Sequence, residues 1–427
     1  MRKWKTHTPE GVFDVLEKDC ACKRNIESKI TNVYKASGYF EIQTPTFEFY
    51  DVFANENGAV DQTSMFKFFD RNGRILVLRP DLTTPIARIC ATKYDEDSFP
   101  KRICYIGSAF RDGDAVAGAI QKEFTQAGIE LIGRSNPEAD AEVIATTIKA
   151  LLACGLDEFQ IDIGQAEFFK GLAEEAKLNS GATEKIRTLI DQKSFVALAE
   201  LLDDYNIDKE LKELILELPN LFGEIDTVEK IKNKRLGTRA KNALDNLLEI
   251  YNIVADYGLE KYIAIDLGMV QGLGYYTGVI IKGFTRGVGF PVCGGGRYDN
   301  LSEAIGGPHV PGVGFASGIE RVVLTMEAQG CSFGKEPSNK VFVVAAEPET
   351  KIDVMDLVRT LRQNRISADM DYMGRSMKSQ MKAAGNTAEY ACIIGREELD
   401  KKLVTLKDLK EGTQEELTIE ALIDKLR

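Results

Sequence analysis

The sequence predicts an α+β protein in two parts, an antiparallel sheet flanked by helices and interrupted by a helical insertion, followed by a small α/β domain. Three observations carry this. Short strand-like runs bounded by Gly, Pro or Asp recur through "RILVLRP", "RICYIGSAFR" and "QAGIELIG" and return at "YIAIDLGMVQGLGYYTGVIIKG". Between these two groups, residues from about 167 to 258 are helical in period with few strand formers. Past a Gly-, Ser-, Pro- and Asn-rich stretch, "KVFVVAA", "ISADMDY", "EYACIIG" and "KLVTLKDL" alternate with helical segments, the pattern of a small α/β domain. A chain of 427 residues is in any case too long for one ordinary core, so two or three domains are expected.

Element by element, Ile26, Ile30, Val33 and Tyr34 recur at helical spacing ahead of Gly38, which reads as a helix stop. "PEADAEVIATTIKALLACG" reads as a helix that starts at Pro137 and stops at Gly155. "GLAEEAKL", "KIRTLIDQKSFVALAELLDD", "LKELILELPNL" and "RAKNALDNLLEIYNIVADYG" supply the insertion, and a last helix of the first domain begins near "FASGIERVV". The boundaries that follow are a core over 1–328 with the insertion at about 167–258, a linker at 329–339, and a C-terminal domain over 340–427.

Composition narrows the chemistry. With 54 Lys and Arg against 66 Asp and Glu, the formal charge is -12, which repels polyanions at long range. Nucleic acid is therefore not the default partner. Only His7 and His309 are present, too few for a histidine-rich metal site or a Ser-His-Asp arrangement, so no metal and no cofactor is expected. The eight cysteines are scattered, with Cys20 and Cys22 too tightly spaced for half a zinc ribbon, and read as reduced thiols. The N-terminus lacks an apolar signal region, and no run approaches the ~18 apolar residues of a membrane span, pointing to a soluble, cytoplasmic protein.

Four stretches of the first domain are polar, glycine-bounded and set among strands: "LRPDLTTPIAR", "SAFRDGDAVAGAIQKEFTQAGIE", "MVQGLGYYTGVI", and "CGGGRYD" with "GIERVV". Singly, each has a structural explanation: Asp81 caps a helix, the glycines make turns, and Arg111 and Arg321 are surface charges. Together they bring charges of both signs and two tyrosines to a glycine-lined floor. Asp81 and Glu130 suit an ammonium, while Thr83, Gln126 and Tyr275 offer neutral hydrogen bonds. That is what an amino-acid pocket requires, because a zwitterion needs opposite charges in fixed places.

At these residues the chain resembles histidyl-tRNA synthetase, a class II aminoacyl-tRNA synthetase. "PEGVFD", "LRPDLTTPIAR", "FRDGDA", "EFTQAGIELIG", "GLGYYTG", "GGGRYDNL" and "GFASGIERVV" fall in the family's order and spacing, and "GRSMKSQMKAA", "YACIIGREEL" and "VTLKDL" resemble its anticodon-binding domain. The resemblance covers essentially the whole chain. It implies a class II synthetase-like fold and assigns histidine binding to Asp81, Thr83, Arg111, Gln126, Glu130, Tyr275 and Tyr276, with Arg321 as a residual nucleotide contact. Asp81 is one methylene shorter than the family's glutamate.

The departures decide the function. Where the synthetase has Arg-Gly-Leu-Asp-Tyr-Tyr, this chain has Gln271-Gly-Leu-Gly274-Tyr-Tyr, so the arginine that promotes adenylate formation is replaced by a neutral side chain. Phe110-Arg111 is followed by Asp112, Gly113 and Asp114 rather than further arginines, and Lys122 stands at the position of a usual Arg. Activation builds negative charge on the α-phosphate of ATP, and losing one preorganised cation typically costs about 10² to 10³ in rate. The resemblance is therefore stronger to the synthetase paralogues that serve as regulatory subunits of ATP phosphoribosyltransferase, in "LRPDLTTPIAR" and "MVQGLGYYTGV" above all. It implies a non-catalytic subunit for the first step of histidine biosynthesis and no aminoacylation. The partner would be the short-form catalytic subunit in a hetero-octamer built on homodimers, with histidine as the feedback effector. The charges of the C-terminal domain are interleaved, so tRNA binding is not expected of it. Two other readings stay open at this point, an active or divergent histidyl-tRNA synthetase and a synthetase-like protein with another ligand.

Overall fold

A computed structural model describes residues 4–54, 60–112, 121–205, 207–270, 272, 274–334 and 338–427. Gln271, Gly113 and Asp114, singled out above, lie outside the described residues. The chain divides into two compact units, 1–334 and 335–427.

The first unit is built on a nine-stranded sheet. Its order is Phe40–Glu41, Lys101–Phe110, Glu123–Ile132, Gly312–Gly318, Cys293–Arg297, Val279–Thr285, Phe159–Gln165, Ile263–Asp266 and Phe222–Gly223. The centre is antiparallel, and parallel pairs join Phe40–Glu41 to Lys101–Phe110 and Phe159–Gln165 to Ile263–Asp266. Strand pleating sorts the side chains into two sets. Along Glu123–Ile132, Ala127, Ile129 and Leu131 enter the main core beside Ile26 and Ile30 of helix Glu17–Ala36 and Ile144 and Ile148 of helix Pro137–Cys154. Gln126 and Glu130 project from the opposite face of that strand.

Local chemistry explains the element ends. Helix Pro137–Cys154 begins at its proline, where a missing N–H costs nothing, and ends on Gly155 in the left-handed conformation. Helix Glu17–Ala36 likewise stops just ahead of Gly38 at φ 81°. Between strands Phe159–Gln165 and Ile263–Asp266 the chain runs through helices Ala166–Glu175, Ser180–Asp191, Phe195–Asp203, Lys209–Glu217, Asp226–Lys232 and Thr238–Asp256. This helical segment also contributes Phe222–Gly223 to the end of the main sheet. Two residues are too few to carry a period, so that strand has no sequence signature.

The second unit holds a five-stranded sheet in the order Ala368–Met370, Asn339–Ala345, Ala388–Ile394, Val404–Asp408 and Gln414–Leu417, with helices Lys351–Gln363, Met377–Thr387 and Ile419–Leu426. Val341, Val343, Leu357, Leu361, Cys392 and Leu406 form its own core. Among the described residues no helix is long and apolar enough to cross a membrane.

Helices Ala166–Glu175 and Thr238–Asp256 touch at Gly171, where an added Cβ would come 2.5 Å from the Ala240 backbone nitrogen. Gly171→Ala would gain up to about 1 kcal/mol of helix propensity at an open site. Here it is expected instead to destabilise the first unit by about 1–3 kcal/mol through overpacking, measured by urea unfolding. A stabilised variant would show that the two helices are not closely packed.

Candidate functional site

The polar side chains of the strand face gather because glycines make room for them. Glu130 lies opposite Gly314 on the neighbouring strand, and any Cβ at Gly314 would overlap the Glu130 carboxylate. Tyr105 occupies the space that a side chain at Gly128 would need. From the other side, the start of helix Thr83–Lys93 brings Asp81 and Thr83, and the backbone nitrogens of Tyr275 and Tyr276 both donate to the Gly272 carbonyl, at 2.9 and 2.8 Å. The two tyrosine rings meet edge to face with centroids 5.0 Å apart.

These elements enclose a cavity of about 220 Å³ lined by Asp81, Thr83, Arg111, Gln126, Tyr275, Tyr276, Gly294, Gly295, Gly296, Tyr298, Gly314, Phe315 and Ala316. Six of the seven residues expected to hold an amino acid line it. Glu130 does not. It is 1% exposed behind the floor, where Oε1 accepts from the Thr83 hydroxyl at 2.8 Å and the Tyr105 hydroxyl at 3.1 Å, and Oε2 accepts from the Tyr298 hydroxyl. Thr83 therefore spends its proton on Glu130 and faces the cavity as an acceptor. Gln126 accepts from the Leu82 N–H through Oε1 at 3.2 Å, which turns its amide group into the donor end.

Electrostatics follows from burial. Desolvation pushes Glu130 up to about 7, against the pull of three hydroxyl donors. Asp81 is also raised by burial, opposed by the Thr84 N–H at 2.8 Å and by the charge of Arg111. Its carboxylate does cap the helix, as the structural explanation has it, but from the residue before the N-cap Leu82, and it lines the cavity as well. Arg111 is lowered by burial and steadied by Asp81, and its Nε donates to the Pro80 carbonyl at 2.7 Å. An anionic and a cationic side chain thus face one small cavity.

A second cavity of about 840 Å³ shares Arg111, Gln126, Gly294 and Ala316 with the first and adds Lys282, Phe290, Glu320 and Arg321. Arg321 lies here and not among the residues lining the smaller cavity. Its guanidinium sits over the Phe290 ring at 5.4 Å and donates to the Pro291 carbonyl at 2.7 Å. Lys122 is paired with Asp112 at 2.8 Å. Among the described residues no group of His, Cys, Asp or Glu could hold a metal ion, and all eight cysteines are free thiols.

The sequence profile of histidyl-tRNA synthetases matches residues 11–322, and that of the anticodon-binding domain matches 340–427. A solved structure from Bacillus halodurans, described as an ATP phosphoribosyltransferase regulatory subunit/histidyl-tRNA synthetase, superposes with a TM-score of 0.80 at 29% identity, covering 91% of this chain and 99% of that one. The apo histidyl-tRNA synthetase of S. aureus gives 0.72 at 25%, covering 99% of both chains. Among curated proteins, the ATP phosphoribosyltransferase regulatory subunit of Acetivibrio thermocellus is 47% identical over 424 residues, 99% of this chain and 100% of that protein. The one from Ruminiclostridium cellulolyticum is 41% identical with the same coverage. The chain belongs to the ATP phosphoribosyltransferase regulatory subunit family.

For a member of this regulatory family, both cavities carry charges of both signs: Asp81 and Arg111 in the small one, and Glu320 with Arg111, Lys282 and Arg321 in the larger. Two groups escape the motif reading. The hydroxyls of Tyr105 and Tyr298 hold Glu130, although Tyr298 stands inside the quoted "GGGRYD" and Tyr105 inside the strand signal "RICYIG". Arg297 is the other: it joins the glycine strand to Asp140 and Asp299.

The Glu130 environment makes stability depend on pH. The folded state keeps this proton up to about pH 7, whereas an unfolded glutamate releases it near 4.5. The contribution is therefore full below about pH 4.5 and declines as pH rises toward 7, by up to roughly 3 kcal/mol. Asp140 and Asp162, both lifted to about 6 by burial, add slope of the same sign. Glu130→Gln is expected to flatten the fall in denaturant stability between about pH 5 and 7 relative to the parent. Identical slopes would mean that Glu130 is ionised throughout.

Proposed function

We propose that the chain acts as the regulatory subunit of ATP phosphoribosyltransferase in the cytoplasm, in complex with the short-form catalytic subunit, and that free histidine is its effector, bound in the 220 Å³ cavity. The reading rests on one observation: Asp81 and Arg111 face a cavity of amino-acid size whose neutral wall, Thr83, Gln126 and Tyr275, supplies both acceptor and donor atoms. The carboxylate of the ligand would meet Arg111, its ammonium Asp81, and its side chain the Tyr275, Tyr276 and Tyr298 end. Glu130 would act through Thr83 and Tyr298, setting the direction of their hydroxyl dipoles. No bond is made or broken. Histidine would shift the catalytic partner between two states by binding one of them better, and a coupling of about 1–3 kcal/mol suffices for feedback.

The test is phosphoribosyltransferase activity of the catalytic subunit with and without this chain, under a histidine titration. Activity is expected only in the mixture and is expected to fall with histidine. In the double variant Gln126→Leu, Glu130→Gln the inhibitory histidine concentration should rise by roughly tenfold or more, equivalent to about 1.4 kcal/mol. An assembled double variant with unchanged sensitivity would remove the effector site from this cavity. The larger cavity with Arg321 and Lys282 favours a second reading, a residual synthetase. Histidine-dependent pyrophosphate exchange by the chain alone would establish it.

Within the complex the reading includes a homodimer, the unit of a hetero-octamer. It is supported by the small sheet Phe47–Phe49, Ile75–Leu78 and Lys67–Phe69. Its register sets Phe47 opposite Leu78, and Phe49 and Phe68 opposite Leu76, so all five side chains share one face, on which the three phenylalanines are exposed. An exposed aromatic face of this kind marks a protein interface. Phe47→Glu with Phe49→Glu should convert the chain to a monomer by sedimentation velocity. Retention of the parental mass would exclude this face.

A further inference from the structure

The C-terminal unit presents a feature that histidine sensing does not use. Helix Lys351–Gln363 buries Val354, Leu357, Val358 and Leu361. A second stripe, Ile352, Met355, Arg359 and Arg362, recurs at steps of three and four and so occupies another face. Ile352 is 72% exposed and Met355 51%. Beyond the edge strand Ala368–Met370, Tyr372 and Met373 are 65% and 79% exposed. Between helix and strand lies a groove of about 450 Å³ lined by Met355, Val358, Arg359, Arg362, Gln363, Met370 and Tyr372.

The groove has a definite charge. In a chain of net charge -12, its walls hold two guanidiniums and no carboxylate. Arg362 is anchored by Nε, which donates to the Ala368 carbonyl at 2.9 Å, and its two terminal amino groups have no partner among the described residues. Arg359 is held only by an exposed contact of 3.0 Å to Asp356, the kind of ion pair that contributes little. The strand beside it is a poor template for another strand. Arg362 covers the Ala368 carbonyl, and the Asp369 side chain takes the Met370 N–H at 2.8 Å. Methionine walls adapt to inserted apolar side chains, and a free arginine fork fits a carboxylate.

We propose that this groove docks an acidic amphipathic helix of a partner protein, its apolar side chains between Met355, Met370 and Tyr372 and a carboxylate on Arg362. A protein segment suits the site better than RNA because the groove offers a single aromatic ring, whereas a single strand stacks on several.

The experiment selects a phage-displayed library of helical peptides on the full-length chain, then measures one enriched peptide by fluorescence anisotropy. Enriched sequences are expected to pair apolar residues at i and i+4 with Asp or Glu. Arg362→Glu and Met355→Asp, both at exposed positions, should each weaken the peptide by roughly tenfold or more at unchanged melting temperature. Hydrogen exchange on the parent chain should show peptide-dependent protection of Lys351–Gln363, a readout that needs no variant. The proposal is overturned by an absence of enriched peptides, by enrichment without acidic residues, by protection elsewhere, or by indifference to both substitutions. It is equally overturned if a histidine tRNA transcript, rather than any peptide, is the ligand released by Arg362→Glu.

Discussion

The architecture of the site hangs on one buried guanidinium. Arg297, at the end of the glycine strand, is 5% exposed, and Nε and Nη2 both close on the same Asp140 oxygen, at 3.0 and 2.8 Å. Nη1 donates to the Arg134 carbonyl and to Asp299, each at 2.9 Å. Asp299 in turn accepts from the Gly312 N–H, while its own N–H donates to the Thr277 hydroxyl at 2.9 Å. The first turn of helix Pro137–Cys154, the glycine strand, the strand Gly312–Gly318 and the tyrosine turn are thereby tied to one point. Removing one partner of such a pair costs roughly 3–5 kcal/mol, because the other charge is left buried. Gly278 belongs to this constraint, since a Cβ there would stand 2.7 Å from the Arg297 Cδ.

With the frame fixed, the remaining polar groups have little freedom. Glu130 is surrounded by three hydroxyls and sealed by Gly314, so it cannot turn toward a ligand without abandoning partners that burial makes expensive to lose. Its influence on the cavity is indirect. It takes the Thr83 and Tyr298 protons and leaves acceptor lone pairs facing inward. Asp81 is split in another way, one oxygen capping the helix while the carboxylate as a whole balances Arg111 across the cavity.

This division marks what the sequence could tell. Period and punctuation located the long elements well. The helix ending at Gly155 and the strands "RILVLRP" and "RICYIGSAFR" lie where spacing and turn residues put them, because those signals are local. Gln126 and Glu130 were both legible as candidates, through the polar stretch that holds them and through the resemblance. Which of the two would meet the cavity was not. That depends on the empty space at Gly314 and on Tyr298, which is 168 positions away in the chain. Arg297 was invisible as an anchor because its partner Asp140 is one of two acidic residues in the first turn of a helix, with Glu138, a place where acids are common for helix-dipole reasons alone. Phe222–Gly223 was invisible because two residues have no period.

A pocket relieved of chemistry still needs preorganisation, and the same physics serves both uses. A synthetase holds its amino acid rigidly so that a second substrate can attack it, whereas a sensor holds it rigidly so that binding energy is not spent on ordering the site. Tight support of the small cavity by Arg297, Glu130 and the glycine floor is therefore compatible with either role, and it carries no information about catalysis. The discriminating difference lies next door, where an adenylating enzyme must gather cations against a polyphosphate. In the sequence Gln271 stands where the synthetase has its arginine, and in the larger cavity, where Glu320 joins Arg111, Lys282 and Arg321, burial and then the charge of Arg111 lower the proton affinity of Arg321. The small cavity keeps its buried supports while the sequence has given up the synthetase's arginine at Gln271, an asymmetry that fits a regulatory subunit.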